Sequence, residues 1–211
     1  MKKLDRQLVI STLLCLLPMV LAAALYDRLP DRIPIHFDAL GQVDNTWPRA
    51  MACFGLPAIL AGLNLAAHFM LNTDPRRARA SGAMRAFSKW LTPALSVFLQ
   101  PMLLLIALGA PIRVPTVLSV LMGLVVTIAG NYLPKCRQNY TMGIRLPWTL
   151  HSADNWNRTH RLAGVLWVAG GLLFILIGVT GYHAAVALPC LMAVLVLLPA
   201  GYSYLLYRRG I

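Results

Sequence analysis

The sequence contains no glutamate, and all seven of its acidic residues are aspartate. That absence removes the late bidentate Glu of an EF-hand loop and the Glu of an H-E-x-x-H zinc helix. Charge of either sign is scarce, at 12% of 211 residues, where a soluble domain carries about 25%. A chain this poor in charge and 58% hydrophobic is solvated mainly by lipid. Cysteine is limited to Cys15, Cys53, Cys136 and Cys190, with no C-x-x-C pair. Neither a zinc site nor a redox motif is indicated, and the four are expected as free thiols. No G-x-S-x-G element frames any Ser, and His151, Ser152, Asp154 and His160 lack a catalytic motif around them. No catalytic residue, metal or cofactor is expected, and the chain is not read as an enzyme.

What charge there is runs positive, with 19 Lys and Arg and a net charge of +12. In a soluble protein this balance points to nucleic acid. In a membrane protein basic residues gather in cytoplasmic loops and meet anionic lipid. The second reading is preferred, with the lipid bilayer as partner and no direct contact with nucleic acid.

Apolar runs of bilayer length fall at 8–25, 51–71, 90–108, 114–133, 162–182 and 184–207. They predict an all-α, polytopic integral membrane bundle of six transmembrane helices, a single membrane domain over 1–211. The first run has a rival reading, because a basic start and Ala22-Ala23-Ala24 resemble a secretory signal. It exceeds the usual 7–15-residue signal core, so an uncleaved helix is expected. Pro93 and Pro101 should kink the third span or soften it locally. Gly170, Gly171 and Gly178 should let helices approach closely in the fifth. Asn64 and His68 share a helix face and should point into the bundle. No Asp, Lys or Arg lies inside a span, only Asn64, His68, Gln100 and Asn131. That counts against coupled transport, which normally keeps an ionisable residue at membrane depth.

Orientation follows from Lys and Arg counts. The N-terminus, the connector 72–89 (Arg76, Arg77, Arg79, Arg85 and Lys89 against Asp74), the loop 134–161 and Arg208-Arg209 are basic. Both termini and the loop 134–161 are therefore expected in the cytoplasm of a cell bounded by this plasma or inner membrane, and 26–50 outside it. The loop 26–50 sets Asp27, Asp31, Asp38 and Asp44 against Arg28, Arg32 and Arg49. Pro30 and Pro34 favour extended backbone before them, and Gly41 marks a turn. A compact polar loop is expected. In it His36 with Asp38 or Asp44 either holds a divalent cation or, the preferred reading, forms a hydrogen-bonded surface turn.

The densest polar chemistry lies in 130–164, GNYLPKCRQNYTMGIRLPWTLHSADNWNRTHRLAG. A mere connector between spans would be much shorter. Ser152 should cap a helix whose Asp154 suits its positive end, with Asp154 and Arg158 paired. Trp156, His160, Gly164 and Trp167 share a stripe. An interfacial amphipathic helix bending into the fifth span is expected, with Trp148 and Trp156 at headgroup level. Asn139, Gly143 and Pro147 should make turns. Arg145, Arg158 and Arg161 are read either as contacts to phosphate or anionic lipid or, for Arg145, as a loop brace on Asp154 or a backbone carbonyl.

Two blocks resemble a known family. The segment with Gly130, Asn131, Pro134, Lys135, Asn139, Gly143, Ile144, Arg145, Pro147, Trp148, Thr149 and Leu150, then Trp156, Thr159, His160, Arg161 and Gly164, resembles the signature of the Sdp immunity protein (SdpI) family. Pro34, His36, Phe37, Asp38, Gly41 and Asp44 resemble an extracytoplasmic loop found near the N-terminus of many of its members. Trp47-Pro48-Arg49 departs from that pattern, where a small residue and a Lys are expected, although Arg49 keeps the charge. The resemblance implies a membrane protein that protects its cell against a secreted, membrane-active peptide toxin, a peptide partner that some members also sense by holding a cytoplasmic repressor at the membrane. Asn131, Pro134, Lys135, Asn139, Gly143, Arg145, Pro147, Trp148, Trp156, His160 and Arg161, with the loop residues Pro34, His36, Asp38, Gly41 and Asp44, are the candidate partner-binding set. The competing reading is a small-molecule or ion transporter, or a membrane receptor of unknown ligand.

Overall fold

The computed structural model describes residues 5–76, 81–182 and 184–211. Arg77 and Arg79 of the basic connector and the turn at His183 lie outside the described residues. Among the described residues six helices are long and apolar enough to cross a membrane, which makes the chain an all-α polytopic membrane protein. In order, α1 is Arg6–Leu16 and α2 Pro18–Leu25, followed by a hairpin of β1 (Arg32–Phe37) and β2 (Val43–Pro48). A π-turn over Met51–Gly55 leads into α3 (Leu56–Thr73), then come α4 (Gly82–Ala107) and α5 (Val114–Tyr132). The short α6 is Pro147–His151, α7 is Ala153–Thr180 and α8 is Ala184–Arg208. Leu17 and Pro18 divide the first crossing, since Pro18 brings no N–H to the ladder and opens α2 instead.

Three expectations are corrected. Helix α4 begins at Gly82 rather than near 90. Helix α7 is continuous from Ala153 to Thr180, so no separate interfacial helix bends into the fifth span. Its 28 residues measure about 42 Å at 1.5 Å each, more than the roughly 30 Å of hydrocarbon. The loop 26–50 holds a two-stranded antiparallel ribbon, with Ile33 opposite Trp47 and Pro34 opposite Thr46.

The chain divides into two compact units, Met1–Met70 with Ala86–Arg113 and Leu71–Arg85 with Val114–Ile211. In the first, Ala22, Leu29, Ile33, Ala52, Cys53 and Leu104 form an apolar core under the hairpin. Asn64 and His68 do face inward, each only 1% exposed. Asn64 Nδ2 donates to Ser11 Oγ at 2.9 Å, and His68 Nε2 lies 3.2 Å from the same hydroxyl. Gln100 Nε2 donates to the Ala52 carbonyl inside the π-turn at 2.8 Å. In a low-dielectric interior such pairs are how polar groups are tolerated.

In the second unit α5 packs closely on α7. A Cβ placed at Gly171 would lie 2.6 Å from the Gly123 carbonyl oxygen, so the approach requires glycine there. Val126, Phe174 and Leu195 form the apolar centre between α5, α7 and α8, and Trp167 Nε1 donates to the Leu195 carbonyl at 2.9 Å. All four cysteines are free.

Candidate functional site

After Leu133–Lys135, a 3-10 turn closing α5, the chain leaves regular structure until α6. Side chains, not a ladder, satisfy its backbone. Asn139 is fully buried. Its Oδ1 accepts from the N–H groups of Thr141 (2.9 Å) and Met142 (2.6 Å). Its Nδ2 donates to the Arg137 carbonyl at 2.9 Å and faces Cys136 Sγ at 3.3 Å. This is an Asx turn using the whole amide. Burial pushes the Cys136 thiol up from its ordinary value, against the Asn139 hydrogen bond. Gly143 follows at φ +93, a left-handed conformation that favours glycine. The rings of His160 and Trp156 also occupy the space a Cβ would need there.

Those two rings are the centre of the loop. Trp156 and His160 stack with centroids 4.0 Å apart. Trp156 Nε1 donates to the Cys136 carbonyl at 2.7 Å. The Ile144 N–H donates to His160 Nε2 at 2.9 Å, while His160 Nδ1 faces the Trp156 carbonyl at 2.8 Å. An N–H on one side and a carbonyl on the other require the neutral, Nδ1-protonated tautomer. Trp156 is therefore corrected from an interfacial ring to a fully buried one.

Pro147 is the first residue of α6 rather than a turn residue, because its fixed φ suits that position. Thr149, also buried, accepts from the Leu146 N–H at 2.8 Å and lies 2.9 Å from the Ile144 carbonyl. Trp148 stacks on Tyr207 and meets Tyr204 edge-on, at 5.8 and 5.5 Å. Ser152 caps α7 through the Asn155 N–H, and Asp154 pairs with Arg158 at 3.0 Å, both as expected. Arg145 braces the loop on a backbone carbonyl, that of Tyr140, at 2.8 Å, and not on Asp154. Asn131, Pro134, Lys135, Arg145, Pro147 and Arg161 are exposed, and the Lys135 Nζ lies 5.6 Å from the Tyr132 ring centroid.

The hairpin is simpler. His36 Nδ1 meets Asp44 Oδ1 at 2.6 Å. Asp38 Oδ1 accepts from the N–H groups of Leu40 and Gln42, and Gly41 supplies φ +82 in the turn. Pro34 sits in the strand ladder. Among the described residues no group of three or more His, Cys, Asp or Glu is gathered to hold a metal, and the three side chains serve the turn. Arg49 fastens the base, donating to the carbonyls of Tyr26 (2.9 Å) and Leu29 (3.1 Å) and to Asp31 (2.9 Å).

Three residues to which the sequence reading gave no structural role hold the second unit together. Asn155, fully buried, donates to the carbonyls of Ser203 and Ile211 and accepts from the hydroxyls of Ser203 and Thr159. Gln138 Nε2 donates to the carbonyls of Thr149 and Leu150, both at 2.8 Å. Asp74 ties the α3–α4 connector to the loop, accepting from the Thr141 hydroxyl at 2.6 Å and from the Tyr140 N–H at 3.0 Å. Burial opposes its charge, yet the hydrogen bonds from Thr141, Arg76 and Tyr140 outweigh this and hold its carboxyl below the ordinary value. The only sequence signal was Asn155 and Thr159 four residues apart on a helix.

Known proteins match both regions. Residues 13–61 match a domain of unknown function (DUF1648). The immunity protein SdpI of Bacillus subtilis (strain 168) is 25% identical over 202 residues, covering 95% of this chain and 96% of that protein. No solved structure matches. Residues 135–203, which carry most of the central loop, α6, α7 and most of α8, match the SdpI/YfhL protein family, in agreement with the resemblance read from the loop residues.

Proposed function

We propose that the chain is an immunity protein of the membrane, protecting its cell against a secreted, membrane-active peptide toxin. The observation that carries this reading is the similarity to an immunity protein along nearly the whole of both chains. Basic residues at the ends of the chain and in the central loop support an orientation with both termini and that loop in the cytoplasm. The loop's buried framework supports a rigid platform that presents Lys135, Arg145, Pro147 and Arg161, exposed side chains suited to a cytoplasmic protein such as a repressor. The hairpin, with His36, Asp38 and Asp44, faces the toxin's side of the membrane in the same orientation. Toxin binding transmits a signal only where two states of the bundle differ in toxin affinity.

The test is survival of a toxin-sensitive host that expresses this chain and is challenged with an Sdp-type toxin, beside an Arg145→Ala variant at matched membrane abundance. Protection by the parent chain supports immunity, and its loss in the variant assigns the central loop a part in it. Death of the parent-expressing host overturns the reading.

A further inference from the structure

The connector before α4 adds a charged feature to the central loop that the loop's own framework does not use. The Asp74 carboxylate is already occupied, with Oδ2 taking the Tyr140 N–H and the Thr141 hydroxyl and Oδ1 taking the Arg76 N–H at 2.7 Å. The Arg76 side chain is left without an ion pair among the described residues. Its guanidinium lies over the Tyr140 ring, 4.5 Å from the centroid. Its Nη1 is shielded from solvent and has no hydrogen-bond partner. A buried guanidinium N–H without an acceptor is costly.

The acceptor has a place to sit. Arg76, Tyr140, Pro147, Leu150 and His151 line a cleft of about 500 Å³. Donors come from Arg76 and the exposed His151, the remaining walls are a ring and two apolar side chains, and among the described residues no carboxylate lines it. Arg145, donating to the Tyr140 carbonyl, brings a second guanidinium to the same tyrosine. A forked donor with an imidazole and no competing acid is the chemistry that recognises phosphate. The geometry points to this cleft as a phosphate-binding site, with Arg76 as the anchoring donor and His151 as the second. The phosphate comes from an anionic lipid headgroup, whose glycerol end would meet Pro147 and Leu150, or from a soluble phosphate ester. The site is independent of the immunity reading and stands or falls separately from it.

The test uses the full chain in detergent. Native mass spectrometry compares retention of phosphatidylglycerol with that of phosphatidylcholine, and glycerol phosphate is titrated as competitor. The parent should prefer phosphatidylglycerol. That preference should fall by about tenfold in Arg76→Ala, as expected for loss of a charge-assisted donor, fall several-fold in His151→Ala and stay unchanged in Arg158→Ala. Because His151 is exposed, its variant keeps the test free of any folding defect that Arg76→Ala introduces. Failure of glycerol phosphate to compete assigns the site to lipid, and competition assigns it to a soluble ester. No preference for either phosphate probe in the parent overturns the site. So does a preference that survives both Arg76→Ala and His151→Ala.

Discussion

The hairpin and the central loop are two polar interruptions of a largely apolar chain, and they handle polarity in opposite ways. The hairpin wears its polar side chains outside. The side chains of His36 and Asp44 are 68% and 45% exposed, while Ile33, Ile35 and Trp47 pack the ribbon on the apolar core and Arg49 fastens its base. The central loop folds its polar side chains inward. Asn139, Thr149, Asn155 and Thr159 are fully buried, beside Trp156 and His160. The first is a surface fastened at its base, and the second is a small packed core without a sheet. Residues that read alike as motif letters therefore do different work. Most of the loop's letters make its shape, and only the exposed ones remain for a partner.

The sharpest break of this contrast is a substitution at the loop's centre. Trp156→Ala removes a buried ring and the hydrogen bond to Cys136, and should cost about 3–5 kcal/mol, as large-to-small core changes do. Gly143→Ala should also destabilise strongly, since it meets both a positive φ and the His160 ring. Thermal unfolding in detergent measures both, and a parent-like melting point for either variant would show that the loop is not packed as a core. Next in size is Asp74→Asn. It keeps one acceptor oxygen but loses the charge held by Thr141, Arg76 and Tyr140, and about 1–3 kcal/mol is expected. The sign with pH is fixed. The folded carboxyl lies below its ordinary value, so the linked stability is fully present above about pH 4 and is lost as the pH falls through the folded value. The parent should lose stability in that range, and Asp74→Asn should show a smaller slope.

The sequence made the six spans legible because length and apolarity alone define them. The Ser152 cap, the Asp154–Arg158 pair and the small residues of α7 were legible because all are local to one helix. What stayed hidden depends on contacts far along the chain. A Trp four residues before a His fits a membrane interface or a core equally well, and for Trp156 the deciding partner is the carbonyl of Cys136, in another segment. Asp74 looked like a lone acid in a basic connector until the chain returned with Tyr140 and Thr141. Asn155 finds its acceptors at Ser203 and Ile211, at the far end of α8. The ribbon was read only as a loop because Pro30 and Pro34 punctuate it, yet proline is admitted at strand edges, and a two-stranded sheet consists of edges.

On the hairpin side the effects should be small, and their order tests what fastens it. Arg49→Lys keeps the charge but not the fork that spans two carbonyls and Asp31, so a loss of about 1 kcal/mol is expected. It should appear as faster amide exchange at the hairpin base. His36→Ala should do less, under about 0.5 kcal/mol, because exposed pairs are screened by water despite the 2.6 Å contact to Asp44. Exchange at Phe37 and Val43, opposite each other in the ladder, reads this directly. If His36→Ala opened the ribbon more than Arg49→Lys, the hairpin would be held from its tip, and its contrast with the inward-folded loop would collapse.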